Sequence, residues 1–233
     1  MASQPATLKL KSMQIQFSQI NVPPGHQVIL RGIDWQHFES LLEESGEHRA
    51  TRYAYHVGNL EIMSPLAAHE DYKSIIRNII EILLEELNLE FRALGSTTLK
   101  NDLVAQAVEP DECFYIQYEN QIRGKERLDL NTDPPPDLAV EIDLTSRTPF
   151  SNYSGLGIVE LWRFDGQSLE IMLLEEGNYL ASNISRLFPQ FDLKSQVPYV
   201  VLQSKLEGRN KTLRAFRQQV RNLIKANESI AKT

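Results

Sequence analysis

Four carboxylates in two short apolar segments are the side chains of this sequence best placed to do chemistry. Asp111 lies in VEPDECFYI; Asp137, Glu141 and Asp143 lie in PPPDLAVEIDLTS. Both segments are rich in apolar and β-branched residues and read as short strands. Residues two apart in a strand share a face. Asp137, Ala139, Glu141 and Asp143 therefore point one way, and Leu138, Val140, Ile142 and Leu144 the other. Carboxylates on an otherwise apolar strand are costly to bury unless a cation or hydrogen bonds compensate them. An all-oxygen set suits a hard divalent ion, Mg²⁺ or Mn²⁺. The expected metal ligands are Asp111 and Glu141, with Asp137 or Asp143 as a further one. Each acid also has a plainer reading: Asp111 and Glu141 as strand-end acids paired with arginine, Asp137 as the start of a strand after a proline run, and Asp143 as an exit into solvent.

The elements that must hold these acids can be traced along the chain. Residues 1–22 read as an N-terminal arm, with a strand over Leu8–Phe17, closed by Val22-Pro23-Pro24-Gly25. Asp34 is a fair N-cap for a helix through Ser45. Arg52–Val57 and Leu60–Met63 form a hairpin about Gly58-Asn59. The longest helix, Leu66–Leu87 with Ser64 or a neighbour as its cap, follows from Ile75, Ile76, Ile79, Ile80, Leu83, Leu84 and Leu87 at helical spacing. Strands are expected over Glu90–Lys100, Asp111–Tyr118 and Asp137–Leu144, then a short helix over Pro149–Leu156. A strand through Trp162, a hairpin of Ser168–Leu174 with Asn178–Ser182, and helices over Leu193–Ser204 and Lys211–Ala226 complete a mixed α/β domain around one sheet. The expected division is an arm at 1–22, a domain at 23–205 and a basic C-terminal helix at 206–233.

Composition excludes several classes. With 233 residues, 42% hydrophobic and 24% charged, the chain can bury a large core. No apolar run approaches the ~20 residues of a membrane span, and the N-terminus lacks a signal-peptide block, so a cytoplasmic protein without membrane contact is expected. Cys113 stands alone, which excludes an internal disulfide and a cysteine zinc site; a buried structural thiol is expected. Net charge is −7, yet residues 205–233 hold eight basic residues against two acidic, a net of +6 on a body of −13. A basic tail on an acidic body is a cue for a polyanion partner. Arg214, Arg217, Arg221 and Lys225 line one face of that last helix, beside the apolar face of Leu213, Phe216, Val220, Leu223 and Ile224. The arginines either stand in water on a docked helix or contact nucleic-acid phosphates.

Pro110-Asp111, followed after 29 residues by Glu141-Ile142-Asp143, resembles the PD-(D/E)XK signature of restriction-endonuclease-like nucleases. EIMSPLAAHEDYKSIIRNIIEILLEEL, VEPDECFYI, PPPDLAVEIDLTS and YSGLGIVELWRFDG resemble successive blocks of the Uma-type family of candidate restriction endonucleases, abundant in cyanobacteria. The match covers about residues 30–185. The resemblance implies a restriction-endonuclease-like core in which a long helix precedes a central mixed sheet. It implies metal-dependent hydrolysis of DNA, with Asp111 and Glu141 as the core metal acids, Asp137 as a family-specific acid, and Glu61 and His69 near the site at the start of the long helix. It also implies a homodimer, suited to cutting both strands of a duplex.

The chain departs from the pattern at the catalytic lysine. Asp143 stands where the motif has lysine, and no lysine occurs between Lys125 and Lys194. Lys100, on the strand before the first motif, and Arg147 are the replacement cations to consider, with His69 for proton transfer. The rival reading is a catalytically silent module that keeps the nuclease fold and binds nucleic acid or protein. A hydrolase of another phosphorylated substrate is a third.

Overall fold

The computed structural model describes residues 19–46, 50–144 and 149–230. Residues 1–18 of the arm, with its expected strand at Leu8–Phe17, and Arg147 lie outside these residues.

Two sheets form where one was expected. Sheet A has the order β1-β3-β2-β6-β5, built from Gln27–Arg31, Asn59–Met63, Arg52–His56, Gln106–Val108 and Leu99–Asn101, all antiparallel. Sheet B has the order β11-β10-β9-β8-β7-β4, from Asn178–Ser182, Leu169–Glu175, Glu160–Phe164, Leu138–Ile142, Glu112–Tyr115 and Arg92–Gly95. Only β8 and β9 run parallel. The expected strand over Glu90–Lys100 is broken: Ser96 has φ +53°, the chain turns there, and its halves join different sheets as β4 and β5. The β2–β3 turn falls on Val57-Gly58, one residue earlier than expected. His56 pairs with Asn59 across it, and φ values of +41° and +80° give the doubly left-handed turn that suits twisted strands.

Helix α1 (Trp35–Ser45) is capped by Asp34, whose carboxylate accepts the His37 N–H, and covers the outer face of sheet A through Phe38, Tyr53 and Tyr55. Helix α2 (Ala67–Glu86) buries its isoleucine and leucine stripe on sheet B against Phe114, Leu138, Val140, Ile142, Trp162 and Phe164. At ~1.5–3 kcal/mol per buried aliphatic side chain, that stripe is the main hold on the helix. Short helix α3 (Glu119–Ile122) interrupts the long loop after β7. Helices α5 (Leu193–Glu207) and α6 (Arg209–Ile230) extend the same layer through Val197, Val201, Phe216 and Val220.

A third cluster fills the space between the sheets. Ala54, Leu99 and Val108 of sheet A meet Cys113, Ala139, Leu161 and Met172 of sheet B, with Tyr153 from α4 (Ser151–Ser154), the short helix between β8 and β9. The alternation expected for residues 137–143 therefore holds, with Ala139 between the sheets and Leu138, Val140 and Ile142 under α2. Among the described residues no helix is long and apolar enough to cross a membrane.

Candidate active site

The β7–β8 pairing sets Glu112 against Val140, so Asp111, one residue before β7, comes opposite Glu141. The backbone N–H of Ile142 donates to Asp111 Oδ2 at 2.7 Å, locking the two strand ends together. On the other side, the parallel partner of Glu141 is Arg163. An acid, an acid and an arginine thus stand side by side on the inter-sheet face. All three are buried.

Sheet A supplies the facing cation. Arg52 opens β2, shares a strand face with Ala54, and brings Nη1 to 2.6 Å from Asp111 Oδ1. Its Nη2 donates to Glu70 at 3.1 Å, at the start of α2. The contact with Asp111 is one of charge rather than of aligned hydrogen bonding, since among the described residues no donor is aimed at the buried Oδ1. Asp143 lies just past β8, with Oδ2 3.7 Å from the Arg163 guanidinium. That guanidinium also stacks on Phe150, 4.0 Å from the ring centre. The Tyr153 hydroxyl donates to Glu141 Oε1.

Burial chiefly, then the Asp111 charge, pushes the Glu141 carboxyl well above the ordinary carboxylate range; Asp143 adds to the rise, and Tyr153 and Arg52 oppose it. Glu61, on β3 and facing the same gap, is also raised, by burial and then by Asp143. His69 is lowered, first by burial and also by Arg52, against the pull of Asp111 and Glu70. The Leu66 N–H donates to His69 Nδ1 at 3.0 Å. The neutral ring therefore carries its proton on Nε2, and neither nitrogen is free to act as a base. The structure thus makes His69 a hydrogen-bond donor and a cap for α2, the role expected of Ser64 or a neighbour.

Two expected site residues stand elsewhere. Asp137 immediately precedes β8, four residues and roughly 13 Å from Glu141. Its Oδ2 accepts the N–H groups of Ile116 (2.6 Å) and Gln117 (3.0 Å), so it caps the end of β7. Lys100 pairs across β5–β6 with Ala107, whose side chain belongs to the α1 side of sheet A. Its Nζ is bound to Glu39 at 2.5 Å, facing away from the acids. Asp111, Glu141, Asp143, Glu61 and His69 are brought to one region.

Arg52, Arg163 and Tyr153 were missed as site residues by sequence reasoning. Arg163 had a signal: a lone cation inside the buried strand ELWRF calls for an acid alongside. Arg52 had none, because its partner lies 59 residues away in the other sheet.

Among the described residues no three His, Cys, Asp or Glu side chains converge at metal-ligand spacing. Two features nonetheless fit a hard cation. Among the described residues Asp111 Oδ1 is a buried oxygen without an aimed donor, and the charged form of Glu141 is opposed by two neighbouring acids. The donor set is all oxygen.

A family model described as "Putative restriction endonuclease", Uma2, matches residues 35–203. No curated protein matches the chain significantly. Among solved structures, the chain is similar to a crystal structure from Anabaena variabilis titled as a putative nuclease belonging to DUF820. The identity is 14%, the match covers 72% of this chain and 98% of that one, and the TM-score is 0.48. With the family model spanning well over half of its length, the chain belongs to the Uma2 family, described as putative restriction endonucleases, a membership that supports a nuclease function.

Proposed function

We propose that the protein hydrolyses phosphodiester bonds in DNA at the Asp111–Glu141 pair, with a divalent metal. The observation that carries this reading is the pairing of Asp111 with Glu141 across β7–β8, buried and faced by Arg52 at 2.6 Å. Asp111 and Glu141 would hold Mg²⁺ or Mn²⁺, with Asp143 beside them. A bound ion there would activate water and offset charge on the phosphate.

The remaining roles belong to side chains of the chain itself. Arg52 takes the place of the motif lysine: its guanidinium, held by Glu70, sets positive charge at the acids, where it stabilises negative charge developing on the phosphate. His69 adds its Nε2–H as a second donor near Asp111. Glu61, protonated to higher pH than an ordinary glutamate, is suited to pass a proton to the leaving oxygen. Tyr153 orients Glu141.

The test is cleavage of supercoiled plasmid and of single-stranded DNA with Mg²⁺ or Mn²⁺, comparing the wild type with Glu141→Gln. Metal-dependent cutting that disappears in the variant supports the reading. Asp143 at the lysine position, turned to Arg163, favours the second reading, a silent binding module. That reading predicts DNA or protein binding without turnover at any metal concentration.

A further inference from the structure

Sheet A carries a polar row that the chemistry above does not use. The pairings of its five strands align Arg31, Asn59, His56, Gln106 and Asn101 across the whole sheet. The next row toward the acids is Ile29, Glu61, Ala54, Val108 and Leu99. Sheet B and α4 cover the β6–β5 half of this face. Among the described residues the β1–β3 half is open, as a groove of about 230 Å³ bordered by Ile29 and Pro149 and reaching Glu61.

The covered half sets the chemistry of the open half. Gln106 Nε2 donates to the Ser151 carbonyl at 3.1 Å and meets His56 Nδ1 at 2.9 Å. The Ser151 carbonyl fixes the amide with its nitrogen on this side, so His56 Nδ1 accepts and the neutral ring presents an Nε2–H donor. Gly155 permits this arrangement, because a Cβ there would lie 2.1 Å from Gln106 Oε1. Arg31 and Asn59 are exposed, and Ile29 is 48% exposed although its row continues into the core.

We propose that this groove is the subsite for an unpaired nucleotide adjoining the scissile phosphate, with Arg31 on its backbone, His56 and Asn59 on its base edge, and Ile29 and Pro149 against its faces. The inference rests on the nuclease reading and adds a substrate class to it. Continuity identifies the occupant, since Glu61 lines the groove and pairs with Ala54, on the same strand face as Arg52, which reaches Asp111. Strand geometry sets Arg31 about 8 Å from Glu61, diagonally across one strand pair and two residues along, which is the reach of one nucleotide. The groove's volume is on the scale of a single base. A groove below the ~300 Å³ of ordinary ligand pockets, with Ile29 and Pro149 among polar side chains, suits a single base, as in enzymes that take a base out of the stack.

The experiment uses the full chain and fluorescein-labelled DNA, as a single strand and as a hairpin duplex of the same composition, read by anisotropy. The single strand should bind more tightly than the duplex. Arg31→Glu should weaken single-strand binding about tenfold or more, as loss of a backbone contact with charge reversal requires, and Asn59→Ala less. Both residues are exposed, so both variants should melt with the wild type. With cleavage as the readout, Arg31→Glu should raise KM and spare kcat. Wild-type binding that Arg31→Glu leaves unchanged, or an equal preference for duplex, overturns the groove while the nuclease reading stands. A wild type that binds and cuts neither DNA overturns both.

Discussion

Asp111 is buried beside Glu141, and Arg52 is the counter-charge that makes this tolerable. Arg52→Met should leave Asp111 uncompensated and cost ~3–5 kcal/mol in urea unfolding, whereas Arg52→Lys should recover part of the loss. Glu141 gives a pH prediction with the opposite sense to an ordinary salt-bridged acid. Its folded pKa lies above the unfolded value, so the folded state holds the extra proton, and stability falls as pH rises from about 4.5 toward the folded pKa. Glu141→Gln should therefore raise the melting temperature at neutral pH and flatten this slope, while abolishing cleavage. The acids themselves were legible in the sequence, because a carboxylate in an apolar strand is conspicuous. Arg52 was not, since strand alternation gives the face of a residue but not the element opposite it. Asp137 shows the same limit: it shares a face with Glu141, and only the pairing reveals that it ends a strand on the far side.

Among elements, the longer helices and both hairpins, β2–β3 and β10–β11, were legible, and the strand partners distant in sequence were not. The stripe of α2 and the Asp34 cap follow from local spacing and side-chain chemistry. The split between β4 and β5 depends on a left-handed serine that nothing in the sequence distinguishes, and β6, only three residues long, carries no alternation to read. The result is a double-sheet arrangement in which α4 acts as a wedge. Gly155→Ala should displace Gln106 from His56 and Ser151 and cost ~1–3 kcal/mol, as overpacking does. A thermal melt checks the stability, and the chemical shift of the His56 ring reports the lost contact. In the helical layer, Phe216→Ala should cost ~3–5 kcal/mol, because its ring is buried in the cluster where α6 packs on α2 and α5.

At the scale of the molecule, the basic tail is neutralised where it touches the body. Arg217 reaches Glu85 and Glu86 at 2.7 Å each, and Arg221 binds Glu86 through Nε at 2.7 Å and Nη2 at 3.0 Å. These pairs hold the Glu86 carboxyl below its usual range, the Arg221 hydrogen bond first. They favour the docked-helix reading of α6 over a phosphate-binding one. Arg221→Ala should leave DNA affinity within about twofold and the salt dependence of binding unchanged, whereas a phosphate contact would lower that slope by close to one. Cys113 lies at the centre of this architecture. It pairs with Ala139 on one side and Leu94 on the other, is fully buried, and has its thiol pushed up by burial. The chain therefore carries its own clock. A maleimide can reach that sulfur only when sheet B comes apart, two strand positions from the acids. The labelling rate of the native protein thus counts opening events at the site, and its response to added Mg²⁺ would time how firmly an ion closes the strands, with no probe introduced.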